Sequence, residues 1–142
     1  MLSPAIQSEI AARLTLAFGL VQTVDVRADS SEYDIRNSMS RLYYAFFHVG
    51  LALLLSIGLD VKNISKDHGR VHAALQRRLG KYFGTMVTNL YRTRKFCDYD
   101  AAMFKRMHSG NIEKARQEYI PIIKSAKTNF HWIYQEAKKV LK

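Results

Sequence analysis

Between Ser31 and Gly58, apolar residues recur at Ile35, Met39, Leu42, Phe46, Val49, Leu53 and Ile57, the spacing of one helix face. From Tyr43 onward the other side is apolar too, with Tyr44, Phe47, Leu51 and Leu54. A helix that is apolar all round must be enclosed by neighbours, so this segment predicts a central helix wrapped by others. Its most hydrophobic run, Tyr43 to Leu59, is 17 residues long and contains His48, Gly50 and Gly58. That is short of the roughly 20 apolar residues that span a bilayer, and the segment reads as protein core without a membrane role.

The rest of the chain supplies the neighbours. Seven Gly and two Pro in 142 residues are too few to turn a many-stranded sandwich or barrel. Ser3-Pro4 reads as an N-cap with Pro at the first helical position, followed by Ile6, Ile10, Leu14, Phe18 and Val21 at helical spacing. Ser30 or Ser31 caps the central helix and Gly58 closes it. Asp67 or Ser65 caps a third helix with Val71, Ala74, Leu75, Leu79 and Tyr82 inward, ending at Gly84, and a fourth carries Val87, Leu90 and Cys97. Ser109, Gly110 and Asn111 make a turn and cap before a last helix striped by Ile112, Ala115, Tyr119, Ile123, Ala126, Phe130, Ile133, Ala137 and Leu141. Pro121 falls inside a stripe that keeps phase across it, which predicts one helix kinked near Ile120. The expected fold is a single all-α domain over 1–142, an antiparallel up-and-down bundle of four to five helices.

Composition narrows the function classes. The lone Cys97 forms no internal disulfide and supplies no cysteine zinc site, which fits a reducing, cytoplasmic setting. The N-terminus has neither the basic nor the continuous apolar region of a signal peptide. The net charge of +10 is uneven: residues 1–61 carry −2, 62–95 carry +8 and 96–142 carry +4. The middle segment interleaves Arg70, Arg77, Arg78, Lys81, Arg92, Arg94 and Lys95 with Tyr82, Phe83 and Tyr91, a composition suited to phosphate and equally to a solvated helix face. Gly-rich phosphate loops and nucleophile elbows are absent from the sequence.

Three groups of polar residues interrupt the apolar pattern. Arg41 and His48 are seven apart, about 10.5 Å along one helix face, and either tie helices together or take part in binding. Arg94 lies on the inner stripe of the fourth helix with Asp98 one turn on, a spacing that lets a carboxylate hold the guanidinium, and Tyr99, Arg92 and Lys95 are close by. His68 and His72 share a face at i,i+4 but have no neighbouring third ligand, so no metal is expected, and His68-Gly69 reads as a helix start.

Ser40-Arg41-Leu42-Tyr43-Tyr44-Ala45-Phe46-Phe47-His48, then His68-Gly69-Arg70-Val71, then Arg94-Lys95-Phe96-Cys97-Asp98-Tyr99-Asp100 resemble three successive signatures of HEPN domains, in the family's order. The likeness is to the small prokaryotic HEPN subfamily, related to the toxins of HEPN/minimal nucleotidyltransferase pairs. It implies a helical bundle that forms a homodimer and binds RNA or nucleotides, needing neither metal nor other cofactor. Many members are metal-independent endoribonucleases of toxin-antitoxin pairs, with a minimal nucleotidyltransferase as antitoxin. Their site is an Arg and, four to six residues on, a His: the Arg holds the scissile phosphate while the His assists attack by the ribose 2′-hydroxyl.

Here that spacing, counted from Arg94 or from Arg92, lands on Tyr99. A tyrosine, with a reference pKa of about 10, is a poor general base at neutral pH, although it can donate a proton or hydrogen bond. Arg41 and His48 match the spacing but on a different helix. The resemblance therefore gives Arg94, Asp98 and Tyr99 as catalytic candidates, with Arg92, Lys95, Arg41 and His48 as phosphate or RNA contacts. Two functions remain open: an RNA- or nucleotide-binding HEPN protein with ribonuclease activity on a degenerate motif, and a non-catalytic module that pairs with itself or a nucleotidyltransferase.

Overall fold

The structure, a computed structural model, describes residues 2–99, 102 and 110–141, and only the backbone at 96, 98 and 99. The described residues are all-helical: α1 (Pro4–Gln22), α2 (Glu32–Ser56), α3 (His68–Leu79), α4 (Lys81–Tyr99), α5 (Ile112–Lys138) and a closing 3₁₀ turn, Lys139–Leu141. Local chemistry sets the helix starts. Ser3 accepts from the Ile6 amide with Pro4 behind it. Ser31 and Asp34 satisfy each other's amides in a capping box, Asp67 accepts from the Arg70 amide, and Asn111 from the Glu113 amide. Of the two serines that could cap α2, Ser30 instead accepts from the Arg27 amide and folds the preceding loop.

Helix α2 is the hub, in contact with each of the other four helices. Its apolar stretch is long enough to be a candidate membrane span, yet 72% of that window is buried inside the protein, as a core helix would be. Tyr43, Phe46, Met39, Leu42 and Leu54 are fully enclosed. Phe46 packs edge-on against Phe130 of α5 (5.6 Å between centroids), and Phe18 of α1 stacks on Tyr134 of α5 (5.2 Å). Burying side chains of this size contributes about 1.5–3 kcal/mol each.

The contacting pairs give the directions. Arg13 with His48 and Thr23 with Arg41 make α1 antiparallel to α2, and Tyr44 with Arg94 and Gly50 with Phe83 do the same for α4. Tyr43 with His72 and Gly50 with Leu75 advance together, so α3 runs in the same sense as α2. The bundle is therefore not strictly up-and-down, because residues 57–67 carry the chain back along α2 before α3 begins. This return places His68 beside the middle of α2. Helix α5 continues unbroken through Pro121.

The structure corrects the reading of the third helix. It ends at Leu79, and the break is Gly80, whose φ of 98° is open to glycine and strained for other residues. Gly84 lies inside α4, where a Cβ would come within 2.7 Å of the Gln76 amide nitrogen and 2.8 Å of its Cα. Its role is close approach of α3 and α4. Tyr82, expected inward, belongs to α4 and is 76% exposed.

Gly84→Ala should lower stability by about 1–3 kcal/mol in urea unfolding, since backbone has to move to admit the methyl group. Gly19→Ala, in open space on α1, should raise it by about 0.5–1 kcal/mol. A Gly84→Ala protein as stable as wild type would contradict the close packing of the α3–α4 hairpin.

Candidate functional site

Polar side chains from α2, α3 and α4 meet where the start of α3 crosses the middle of α2. Tyr43 is fully buried, and its hydroxyl lies 2.5 Å from His68 Nδ1 and 2.9 Å from His72 Nε2. The i,i+4 spacing brings both imidazoles to one face of α3, where they share a single phenol. His68 is sandwiched between Phe47 (4.8 Å, 23° between planes) and Tyr91 (5.3 Å, 11°). It is half-buried, whereas His72 is 6% exposed and meets the Tyr91 ring edge-on.

Arg94 closes the cluster from α4. Its Nη2 donates to the Tyr44 hydroxyl at 2.9 Å, and its guanidinium carbon lies 4.7 Å from the Tyr44 ring centroid and 5.6 Å from that of Tyr43. Cation–π contact on two rings suits a guanidinium, which is less strongly hydrated than an ammonium. Only 5% of Arg94 is exposed. It is thus a fixed positive charge at the base of the cluster. The partly exposed members are Tyr44, His68 and Tyr91, with Lys95 over the Tyr91 ring at 5.5 Å and exposed Arg92 farther out.

Burial and charge set the protonation states. Burial, reinforced by Tyr91, raises the Tyr43 phenol far above its ordinary value, so the hydroxyl keeps its proton. Burial lowers His72 to about 4, with His68 adding to the effect. His68 is also lowered, first by burial and then by Arg94, against an opposing pull from Asp67. All these shifts favour neutral imidazoles at pH 7.

Other expected site residues lie elsewhere. Arg41 donates to the Thr23 carbonyl at the end of α1 (3.3 Å), and His48 Nδ1 lies 3.1 Å from Arg13 Nη1, which is itself paired with Glu9. Both tie α2 to α1 and are not brought to Arg94, because their shared face of α2 is the one α1 covers. Burial and then Arg13 lower His48 to about 4. The side chains of Asp98 and Tyr99 lie outside the described residues. Tyr43, Tyr44, Tyr91 and His72 were not marked as site residues by the sequence; the signal available was the His68/His72 spacing together with tyrosines inside the first motif. Among the described residues no group of three or more His, Cys, Asp or Glu is gathered as a metal site would need.

Outside the cluster, Arg70, Arg77 and Arg78 line a shallow cavity of about 210 Å³ with Leu59, Ile64, Ala73 and Ala74. These exposed arginines have no ion-pair partner among the described residues. Comparison of the chain with protein-family models, curated proteins and solved structures found no match.

The neutral histidines make stability depend on pH. His48 and His72 lie near 4 when folded and near about 6.5 when unfolded, so between those values the unfolded chain binds more protons. Their contribution is complete above about pH 6.5 and is lost as pH falls toward about 4. The expected loss is on the order of 1–3 kcal/mol for His72 and smaller for the more exposed His48. Chemical denaturation from pH 7.5 to 4 measures it, and His72→Gln should flatten the slope. A flat wild-type profile would show that these imidazoles are not held neutral.

Proposed function

We propose that this protein is a HEPN-type RNA- or nucleotide-binding domain, a bundle with its last helix bent at Pro121, acting in the cytoplasm without metal or other cofactor. The observation that carries the reading is the meeting of the three motif segments. Tyr43 and Tyr44 from the first, His68 from the second and Arg94 from the third come from three helices yet form one hydrogen-bonded and stacked cluster. A fixed guanidinium, phenol and imidazole in a ring-lined setting suit a phosphodiester and the sugar or base beside it. Arg70, Arg77, Arg78 and Arg92, unpaired among the described residues, with Lys95 over the Tyr91 ring, add positive charge on α3 and α4 that attracts a polyanion.

In this reading the strand approaches along the exposed arginines of α3 and lays one phosphate against the Tyr44 hydroxyl, with Arg94 behind it. The buried cation acts by its field, which is strong where water is excluded. Metal-independent ribonuclease activity, as the toxin of a pair with a minimal nucleotidyltransferase, is the corresponding chemistry, and homodimerisation the corresponding assembly.

One feature favours a second reading. Between α4 and α5 runs a cleft of about 840 Å³, lined by Tyr82, Met86, Leu90, Pro121, Ile122 and Ala126 among others. Tyr82 and Ile122 are exposed there. An apolar groove of this kind suits a protein partner, so the alternative is a non-catalytic module mating with a second copy or with a nucleotidyltransferase.

Salt-dependent retention separates the two. Wild type in a chelator should hold a mixed RNA pool with an affinity that falls steeply as salt rises. Arg92→Ala combined with Lys95→Ala should weaken retention and make its salt dependence shallower by up to about two ion equivalents. No retention at low salt, alongside stable self-association or co-purification with a nucleotidyltransferase, would favour the partner module.

A further inference from the structure

The fourth-helix position that the family motif gives to histidine is held here by Tyr99, which leaves a ribonuclease reading without its proton acceptor. The structure offers another group. His68 is fixed on three sides: Tyr43 holds Nδ1 at 2.5 Å, and Phe47 and Tyr91 hold the ring faces. Its other nitrogen, Nε2, has no hydrogen-bond partner among the described residues, and the residue is partly exposed. An imidazole that is immobilised at one nitrogen and open at the other is the arrangement a general base requires.

We infer that His68 is the proton-transfer residue of this site, its Nε2 taking the proton from the 2′-hydroxyl of a bound RNA strand. The inference rests on the RNA reading given above and adds the identity of the base. A phenol hydroxyl has one proton to give, so Tyr43 donates to one imidazole and accepts from the other. When it donates to His72 Nε2, His68 Nδ1–H donates to Tyr43 Oη and Nε2 carries a lone pair. Tyr43 and His72 are thus positioning residues that fix the His68 tautomer. The charged and titratable groups around His68 are Tyr43, Tyr44, His72, Tyr91, Arg94 and its neighbour Asp67; burial and then Arg94 favour the neutral ring, against an opposing pull from Asp67.

The step balances as an internal transfer. The 2′-hydroxyl proton passes to His68 Nε2 while the 2′-oxygen forms a bond to the adjacent phosphorus and the bond from phosphorus to the 5′-oxygen breaks. The departing 5′-oxygen takes a proton from water, and the hydroxide left is neutralised by the proton on His68. The products are a 2′,3′-cyclic phosphate and a 5′-hydroxyl end.

The test pairs cleavage with retention. Wild-type protein in a chelator should cut a mixed RNA pool to cyclic-phosphate ends. His68→Gln should lower the rate by about 100-fold or more, a loss far larger than any change in its retention of a 2′-deoxy strand, with circular dichroism reporting that the variant is folded. Added imidazole should restore part of the rate to His68→Ala. Tyr43→Phe should alter the pH profile of cleavage more than retention. Cutting by His68→Gln at the wild-type rate, or a wild type that retains RNA without cutting it, overturns the inference and leaves the binding reading intact. A wild type that neither retains nor cuts RNA overturns both.

Discussion

Helix α2 buries side chains around its circumference, and the other four helices all pack against it because that surface must leave water. The same constraint creates the polar cluster. A tyrosine hydroxyl at the centre of such a helix costs several kcal/mol unless it finds a partner. Tyr43 finds two, on a helix that reaches it only because the chain doubles back after Gly58. His68, His72 and Arg94 are placed by the packing of α3 and α4, and the hairpin at Gly80 and Gly84 holds those two helices close. Stability and the proposed chemistry therefore share one set of contacts.

The excess of positive charge divides into two populations. Lys127 Nζ reaches the Val24 carbonyl at 2.6 Å, and Arg116 donates to the carbonyls of Ser30 (2.8 Å) and Asp29 (3.1 Å). Arg41 holds Thr23, and Arg36 donates to the Cys97 carbonyl near the end of α4. These cations satisfy carbonyls at helix ends and in the α1–α2 loop, where the helix dipoles also favour them. Among the described residues, the arginines on the outer face of α3, with Arg92, carry no such duty. Net charge alone would have overstated the surface available to a polyanion.

The helix starts were legible in the sequence because a cap depends on residues within a turn of one another: Ser3, Asp67 and Asn111 sit where the sequence placed them. Gly80 and Gly84 were harder, since one serves a positive φ and the other a close approach, and composition does not tell these apart. Heptad spacing put Arg41 and His48 on one face of α2, but the neighbour covering that face is a tertiary fact. The His68/His72 pair was read correctly as sharing a face. That a buried phenol from another helix would lie between them could not be seen, and the pairing with Tyr43 is what makes His68 a candidate base.

The most direct test is the imidazole and guanidinium nuclear magnetic resonance of the full chain during addition of a 2′-deoxy oligonucleotide at low salt. The expected result is saturable shifts of the His68 ring and Arg94 Nε signals that reverse on adding salt, with His48, held beside Arg13 of α1, left unmoved. Shifts that spare His68 and Arg94 while the strand binds elsewhere would contradict it.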